Sequence, residues 1–207
     1  MYLPASFKNH DLEQTLALMR AAPLATLISV GGDGRPFVSH LPLVVETDGD
    51  GLVCIGHLAR ANPHWKLLTD GPQTAIFHGP NTYITPTWYE QNNVPTWNYA
   101  VVHASGSVEL IEDRAGIEEC LRVLTRFVER GPTAWSFWVP GDLADSLERA
   151  LVGFRLRIAT LDAKFKLSQN RPEADRRGVM RGLEQRTDAG SRGVLALMRG
   201  NTPGASG

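Results

Sequence analysis

Two hydrophobic periods alternate along this chain, and each change of period marks a change of element. Leu12, Leu16 and Met19 recur at helical spacing behind Asp11, which with Gln14 forms a capping pair, so a short helix is predicted first. The period then falls to two. LATLISV and RPFVSHLPLVVE, separated by GGDG, read as a hairpin with glycines where positive φ is needed, and a second turn follows at Thr47-Asp48-Gly49-Asp50-Gly51. GLVCIGH reads as a short buried strand, and Asn62-Pro63 as an N-cap with proline at the first helical position. QTAIFHG and TYITPTWY are predicted as two strands of a meander joined by a turn at Pro80-Asn81. In NYAVVHASGSVELIE, alternation puts Ala100, Val102, Ala104, Val108 and Leu110 on one face and His103 on the other, where an exposed or interface histidine is expected.

From Asp113 the helical period returns. Ile117, Leu121, Leu124 and Val128 form a stripe that Asp113 caps and Gly131-Pro132 ends, with Cys120 and Phe127 on the apolar face. GDLADSLERALVG reads as a second helix, and FRLRIATL as a half-exposed strand with Arg155 and Arg157 on its solvated side. Pro172 opens a last helix weakened by Gly178 and Gly182. The pattern as a whole predicts a mainly β chain with peripheral helices. It forms one domain over residues 1–186, followed by a flexible tail over residues 187–207.

Composition narrows the class. A chain of 207 residues suits one compact domain, which buries about 70% of its unfolded surface. The formal charge of −1 supplies no global field for nucleic acid. No basic segment precedes an apolar run, and no run of about 18 apolar residues occurs, so a soluble cytoplasmic protein without membrane association is expected. Cys54 and Cys120 both fall at apolar positions and read as core thiols. The Asp33 and Asp48 turns lack the distal glutamate of a calcium loop. HExxH, GxSxG, GxGxxG, CxxC and Walker patterns are all absent, which removes the chemistries that need them.

The candidate chemistry concentrates in residues 57–103, which hold four of the six histidines and three of the five tryptophans, a mixture suited to a rigid concave site. Arg60 sits between a strand end and a helix start, where backbone N–H groups and a guanidinium fork both favour a phosphate. In VPTWNY, Trp97 offers a flat apolar face and Thr96 and Asn98 offer donors and acceptors suited to a flavin ring. Ser39 and His40 interrupt an apolar strand and point to opposite faces, so one of the two meets the core or a ligand. Seven arginines against four acids between residues 171 and 199 make the only basic patch.

MYLPASF, PLATLIS, SHLPL, HLARANPHW, GPNTYITPTWY, VPTWNYAVVHASG and KLSQNR, in this order, resemble the PaiB-type FMN-binding negative transcriptional regulators over roughly residues 1–185. The resemblance implies an antiparallel split β-barrel of the FMN-binding type; Trp135 and Trp138, three residues apart, are expected to line the packed edge of the barrel in preference to a place near the ligand. FMN is the implied cofactor. Ser39, His40 and Leu41 are implied at the ribityl chain or ring edge, with His57, Arg60 and Asn62 beside the phosphate. Thr96, Trp97 and Asn98 are implied at the ring, and Lys166, Ser168 and Gln169 reach the cofactor from the other subunit of a homodimer. The role implied is negative regulation through flavin or redox sensing. An FMN-dependent oxidoreductase and a haem-binding split barrel are the alternatives. Direct DNA binding is not expected, because the 172–186 helix dilutes its arginines with Glu173, Asp175, Glu184 and two glycines.

Overall fold

The structure is a computed structural model that describes residues 1–200 apart from 92, 132, 136, 138 and 139, and of residues 142–144 the backbone alone. The readings placed on Pro132, Trp138 and residues 201–207 lie outside the described residues. The strands are β1 (Leu24–Val30), β2 (Pro36–Pro42), β3 (Val44–Asp48), β4 (Gly51–Ala59), β5 (Gln73–Ile84), β6 (Thr96–Ile111) and β7 (Leu151–Lys166). They form one seven-stranded sheet in the order β2-β1-β5-β6-β7-β4-β3. The β1–β2, β1–β5, β3–β4 and β4–β7 pairs are antiparallel. The helices are α1 (Leu12–Ala21), α2 (Arg114–Val128), α3 (Gly141–Ala150), α4 (Glu173–Glu184) and α5 (Ala189–Met198).

Packing divides the chain into two compact units. The first to appear whole in sequence comprises residues 23–76 and 104–161. Its hairpins follow the turn chemistry: Asp48 pairs with Gly51 across a two-residue loop in which Gly49 takes φ 63°. The Asp113 carboxylate accepts from the Gly116 N–H at 2.9 Å and starts α2. That helix lays Cys120, Val123 and Leu124 on Val44, Val53, Ile55 and Ile111, with Phe127 partly buried against them, and Ile117 is buried on the same helix. This packing corrects the end of the β6 pattern, since Ile111 is buried under α2 in place of Leu110, while Val128 is 61% exposed past the helix contact. Cys54 and Cys120 are free and buried, and burial pushes the Cys54 thiol up to about 12. Trp135 is corrected as well: it is 55% exposed and meets Phe137 edge-on, outside the packed core.

The other unit comprises residues 1–22, 77–103 and 162–207. Asp11 caps α1 by accepting from the Gln14 N–H at 3.0 Å. Leu16, Leu18 and Met19 are buried, whereas Leu12 sits in the first turn and is exposed. The meander expected around Pro80-Asn81 is replaced by one continuous strand, β5. Gln73, Ala75 and Phe77 are buried before this segment and Thr82 and Ile84 after it, so the alternation slips by one residue without turning. The packing of α5 explains why. A Cβ on Gly190 would stand 2.3 Å from the Asn81 carbonyl oxygen, and one on Gly193 would stand 2.6 Å from Pro80 Cβ, so the helix lies directly on the segment. Extended backbone is open to proline, which forfeits only its ladder donor.

The same packing corrects the expected tail. Residues 189–198 are helical, Asp188 caps them by accepting from the Ser191 N–H at 2.8 Å, and Val194, Leu195 and Leu197 are buried. Among the described residues, no helix is long and apolar enough to cross a membrane.

Candidate functional site

In the unit of residues 23–76 and 104–161, β2 decides between Ser39 and His40. Ser39 and Leu41 face inward and are buried, while His40 points outward, with Nδ1 3.1 Å from Thr26 Oγ1. Ser39 belongs to a buried polar chain that the sequence reading did not assemble. Asn62 Nδ2 donates to Ser39 Oγ at 3.0 Å, Ser39 lies 2.8 Å from His64 Nδ1, and His64 Nε2 lies 2.7 Å from Ser29 Oγ. Ser29 Oγ donates to Gln73 Oε1, and Gln73 Nε2 donates to the carbonyls of Leu67 and Gly71. With its proton on Gln73, Ser29 accepts from His64 Nε2–H. Burial lowers the His64 pKa, so the ring is neutral and its Nδ1 accepts the Ser39 proton. Each member then has one defined direction of donation. The chain fixes the segment after β4, where Asn62 also accepts from the His64 N–H at 3.1 Å.

That segment is a single five-residue 3-10 turn, Pro63–Leu67. The helix start expected to attract an anion is therefore not an α-helix terminus, and the guanidinium of Arg60 is what remains. Arg60 is well placed. Its Nη2 donates to the Leu151 carbonyl at 3.1 Å, its carbon lies 5.5 Å over the Trp65 ring, and the Trp65 indole donates to the Arg60 carbonyl at 3.0 Å. Nη1 meets Glu112 at 2.7 Å, with the glutamate side chain 50% exposed. A pair this open to water is worth about 0–1 kcal/mol, so a phosphate dianion can take Glu112's place. His57, paired opposite Gly153, keeps a buried Nδ1 without a hydrogen-bond partner, and burial lowers its pKa. An unpartnered ring nitrogen beside Arg60 and Asn62 in sequence is the feature of this stretch that a bound polar group would satisfy.

In the other unit, the period of β6 separates its first three residues. Asn98 is fully buried; its side chain donates to Ser168 Oγ at 2.9 Å and accepts from it at 3.2 Å. Trp97 points the opposite way, is 53% exposed, and meets Tyr83 edge-on at 6.2 Å. Thr96 and Trp97 nevertheless converge on one cation, since Lys166 Nζ donates to Thr96 Oγ1 and, at 2.7 Å, to the Trp97 carbonyl. Burial first, then the neighbouring Lys164 and Arg171, lower the Lys166 pKa. Among the described residues no carboxylate pairs with it. Ser168 holds φ 63° at the end of β7, and Gln169 folds back so that its side chain accepts from the Leu167 N–H at 2.6 Å and donates to the Phe165 carbonyl. Ser168 and Gln169 thus shape the loop that presents Lys166.

Trp97 also lines an open cleft of about 410 Å³ with Tyr99, Val101, His78, Gly79 and Asn81. The slip in β5 creates it by turning His78 and Asn81 to the same side. An aromatic wall with a few polar groups and a cation nearby matches what a planar, anionic ligand requires. The sequence reading missed His64, Gln73, His78, Tyr99 and Lys164. For Lys164 and Tyr99 a signal existed: each lies two residues from a residue already singled out, and alternation returns both to the same face.

Residues 1–160 match the family described as "Putative FMN-binding domain". The chain is 31% identical over 201 residues to the protease synthase and sporulation protein PAI 2 of Bacillus subtilis (strain 168), covering 96% of each chain. In fold it is similar to the flavocytochrome Anf3 of Azotobacter vinelandii, with TM-score 0.58 and 22% identity over 77% of this chain and 69% of that one. It is also similar to the FAD and heme binding protein of Mycobacterium smegmatis, with TM-score 0.59 and 20% identity over 77% and 73%. These likenesses agree with the antiparallel sheet and its flanking helices, and the chain belongs to the FMN-binding split-barrel family of the PaiB type.

Proposed function

We propose that this protein holds FMN in a homodimer and acts as a negative regulator whose output depends on the flavin, without reading DNA itself. Arg60 carries the reading: its guanidinium is oriented by the Leu151 carbonyl and the Trp65 ring, and its acidic partner is exposed and replaceable. Arg60 takes the phosphate, with Asn62 and His57 on the same stretch, and outward-facing His40 lies along the cofactor while Ser39 and Leu41 position that strand. The partner protomer contributes Lys166, Thr96 and Trp97, with Asn98, Ser168 and Gln169 supporting them from behind. When bound, FMN supplies hydride and single-electron chemistry. The protein's part is to orient it, to place the Lys166 charge at a ring edge and to keep His57 neutral as a hydrogen-bond partner.

The regulatory half rests on the relative named for protease synthesis and sporulation. It is favoured over DNA reading because three of the C-terminal arginines are engaged within the chain. Arg171 lies over Tyr89, and Arg177 and Arg199 pair with Glu173 and Glu184. Titrating FMN into flavin-free Arg60→Ala should show about ten- to a hundredfold weaker binding than the parent. Unchanged affinity in a folded variant would overturn the phosphate assignment. A titration of FMN-loaded protein with upstream DNA against scrambled competitor at physiological salt tests the rest, and tight binding that survives the competitor contradicts it.

A further inference from the structure

Beyond the residues that match the FMN-binding family, α4 and α5 border a cleft of about 360 Å³ lined by Leu183, Glu184, Arg186, Arg192, Leu195 and Arg199. Three guanidinium groups face one carboxylate there. Glu184 is already engaged by Arg199. Arg186 is hydrogen-bonded to neutral groups: Nη1 donates to Thr82 Oγ1 at 3.1 Å and to the Tyr83 carbonyl at 2.9 Å, its carbon lies 4.6 Å over the Trp88 ring, and its charge reaches the Asp188 carboxylate without an ion pair. Among the described residues, neither Arg186 nor Arg192 has an acid within ion-pair distance. Asp188 spends its carboxylate on the cap of α5. An arginine fixed by a stacked ring and backbone oxygen, with donors left over and a second free arginine in the same cleft, is preorganised for a divalent oxyanion. Leu183 and Leu195 add apolar wall.

We propose that this cleft binds a small organic dianion, a phosphate monoester or a dicarboxylate carrying an apolar group, with Arg186 and Arg192 on the charge and Leu183 and Leu195 on the apolar part. A cleft of this size between two short helices suits a small molecule. Duplex DNA instead needs a row of cations along its backbone. The site is separate from the residues assigned to FMN, so it gives a regulatory protein a second input.

Calorimetric titration of the FMN-saturated full chain tests this, with phenyl phosphate and phthalate as the two anion classes and inorganic phosphate and phenol as their halves. The expected result is saturable binding of phenyl phosphate, phthalate or both, tighter than either half. Arg192→Gln should weaken it about ten- to a hundredfold, Arg192→Lys should restore part of it, and FMN affinity should be the same in all three proteins. Equal affinity in Arg192→Gln, binding no tighter than that of inorganic phosphate, or no saturable binding of either probe overturns the proposal. So does a DNA duplex that binds through Arg192 while both small anions fail.

Discussion

His64 shows how much one buried ring can fix. Both of its nitrogens are committed, one to Ser29 and one to Ser39, and only the neutral tautomer with the proton on Nε2 satisfies the chain that ends on Gln73. Burial lowers its pKa, and those of His57 and His103, below the ordinary histidine value. A folded-state pKa below the unfolded one means that the unfolded chain binds more protons, so stability is full above about pH 6.5 and falls as the pH drops below it toward the folded pKa values. Urea midpoints measured from about pH 7.5 to 5 should fall through this window, and His64→Gln should flatten the slope. An unchanged slope would mean that His64 does not titrate on unfolding in that range. At the start of β6, neighbouring residues have separable roles. Asn98→Ala leaves Ser168 without its buried partner and should lower stability by about 1–3 kcal/mol in a urea melt. Trp97→Ala, at a half-exposed position, should leave the urea midpoint nearly unchanged and weaken FMN binding in a titration. The opposite assignment of the two effects would reverse the faces. The residue types of this site were legible in VPTWNY, but the bonds that divide their labour were not, because Ser168 lies 70 residues further along the chain.

At the scale of elements, caps and periods were the readable part. Asp11, Asp113 and the Gly49 turn act where the sequence placed them. What was not readable is long-range packing that overrides a local signal. Pro80-Asn81 carries turn chemistry, yet α5 lies on it and keeps β5 continuous. Gly178 and Gly182 lower the helix propensity of α4, yet they are the positions at which it touches Trp88. A Cβ on Gly182 would stand 2.2 Å from the indole, and one on Gly178 would stand 2.0 Å from the Trp88 carbonyl oxygen. Gly182→Ala gains up to about 1 kcal/mol in intrinsic propensity and meets an overpacking cost of about 1–3 kcal/mol, so the net effect is destabilising. Thermal denaturation should show a lower Tm. A raised Tm would show that Trp88 yields freely. The glycine- and serine-rich composition after Thr187 likewise concealed α5, whose buried Val194, Leu195 and Leu197 sit at helical spacing between the glycines.

At the scale of the whole molecule, the family, the antiparallel fold and FMN as the cofactor follow from motifs in order, while the two-protomer site proposed above rests on how its residues divide between the two halves of the cofactor. The account places Arg60 and Lys166 of a given site on different protomers, which gives a test that does not depend on any substrate. Arg60→Ala and Lys166→Met each remove one cation and should each weaken FMN by about ten- to a hundredfold in the homodimer. Co-expressed with different tags and isolated as the mixed dimer, the two variants should regain parental affinity at about half of the sites, because one site inherits both intact cations and the other neither. A mixed dimer with no tight site, or a protein that stays monomeric while binding FMN at full affinity, would contradict the account.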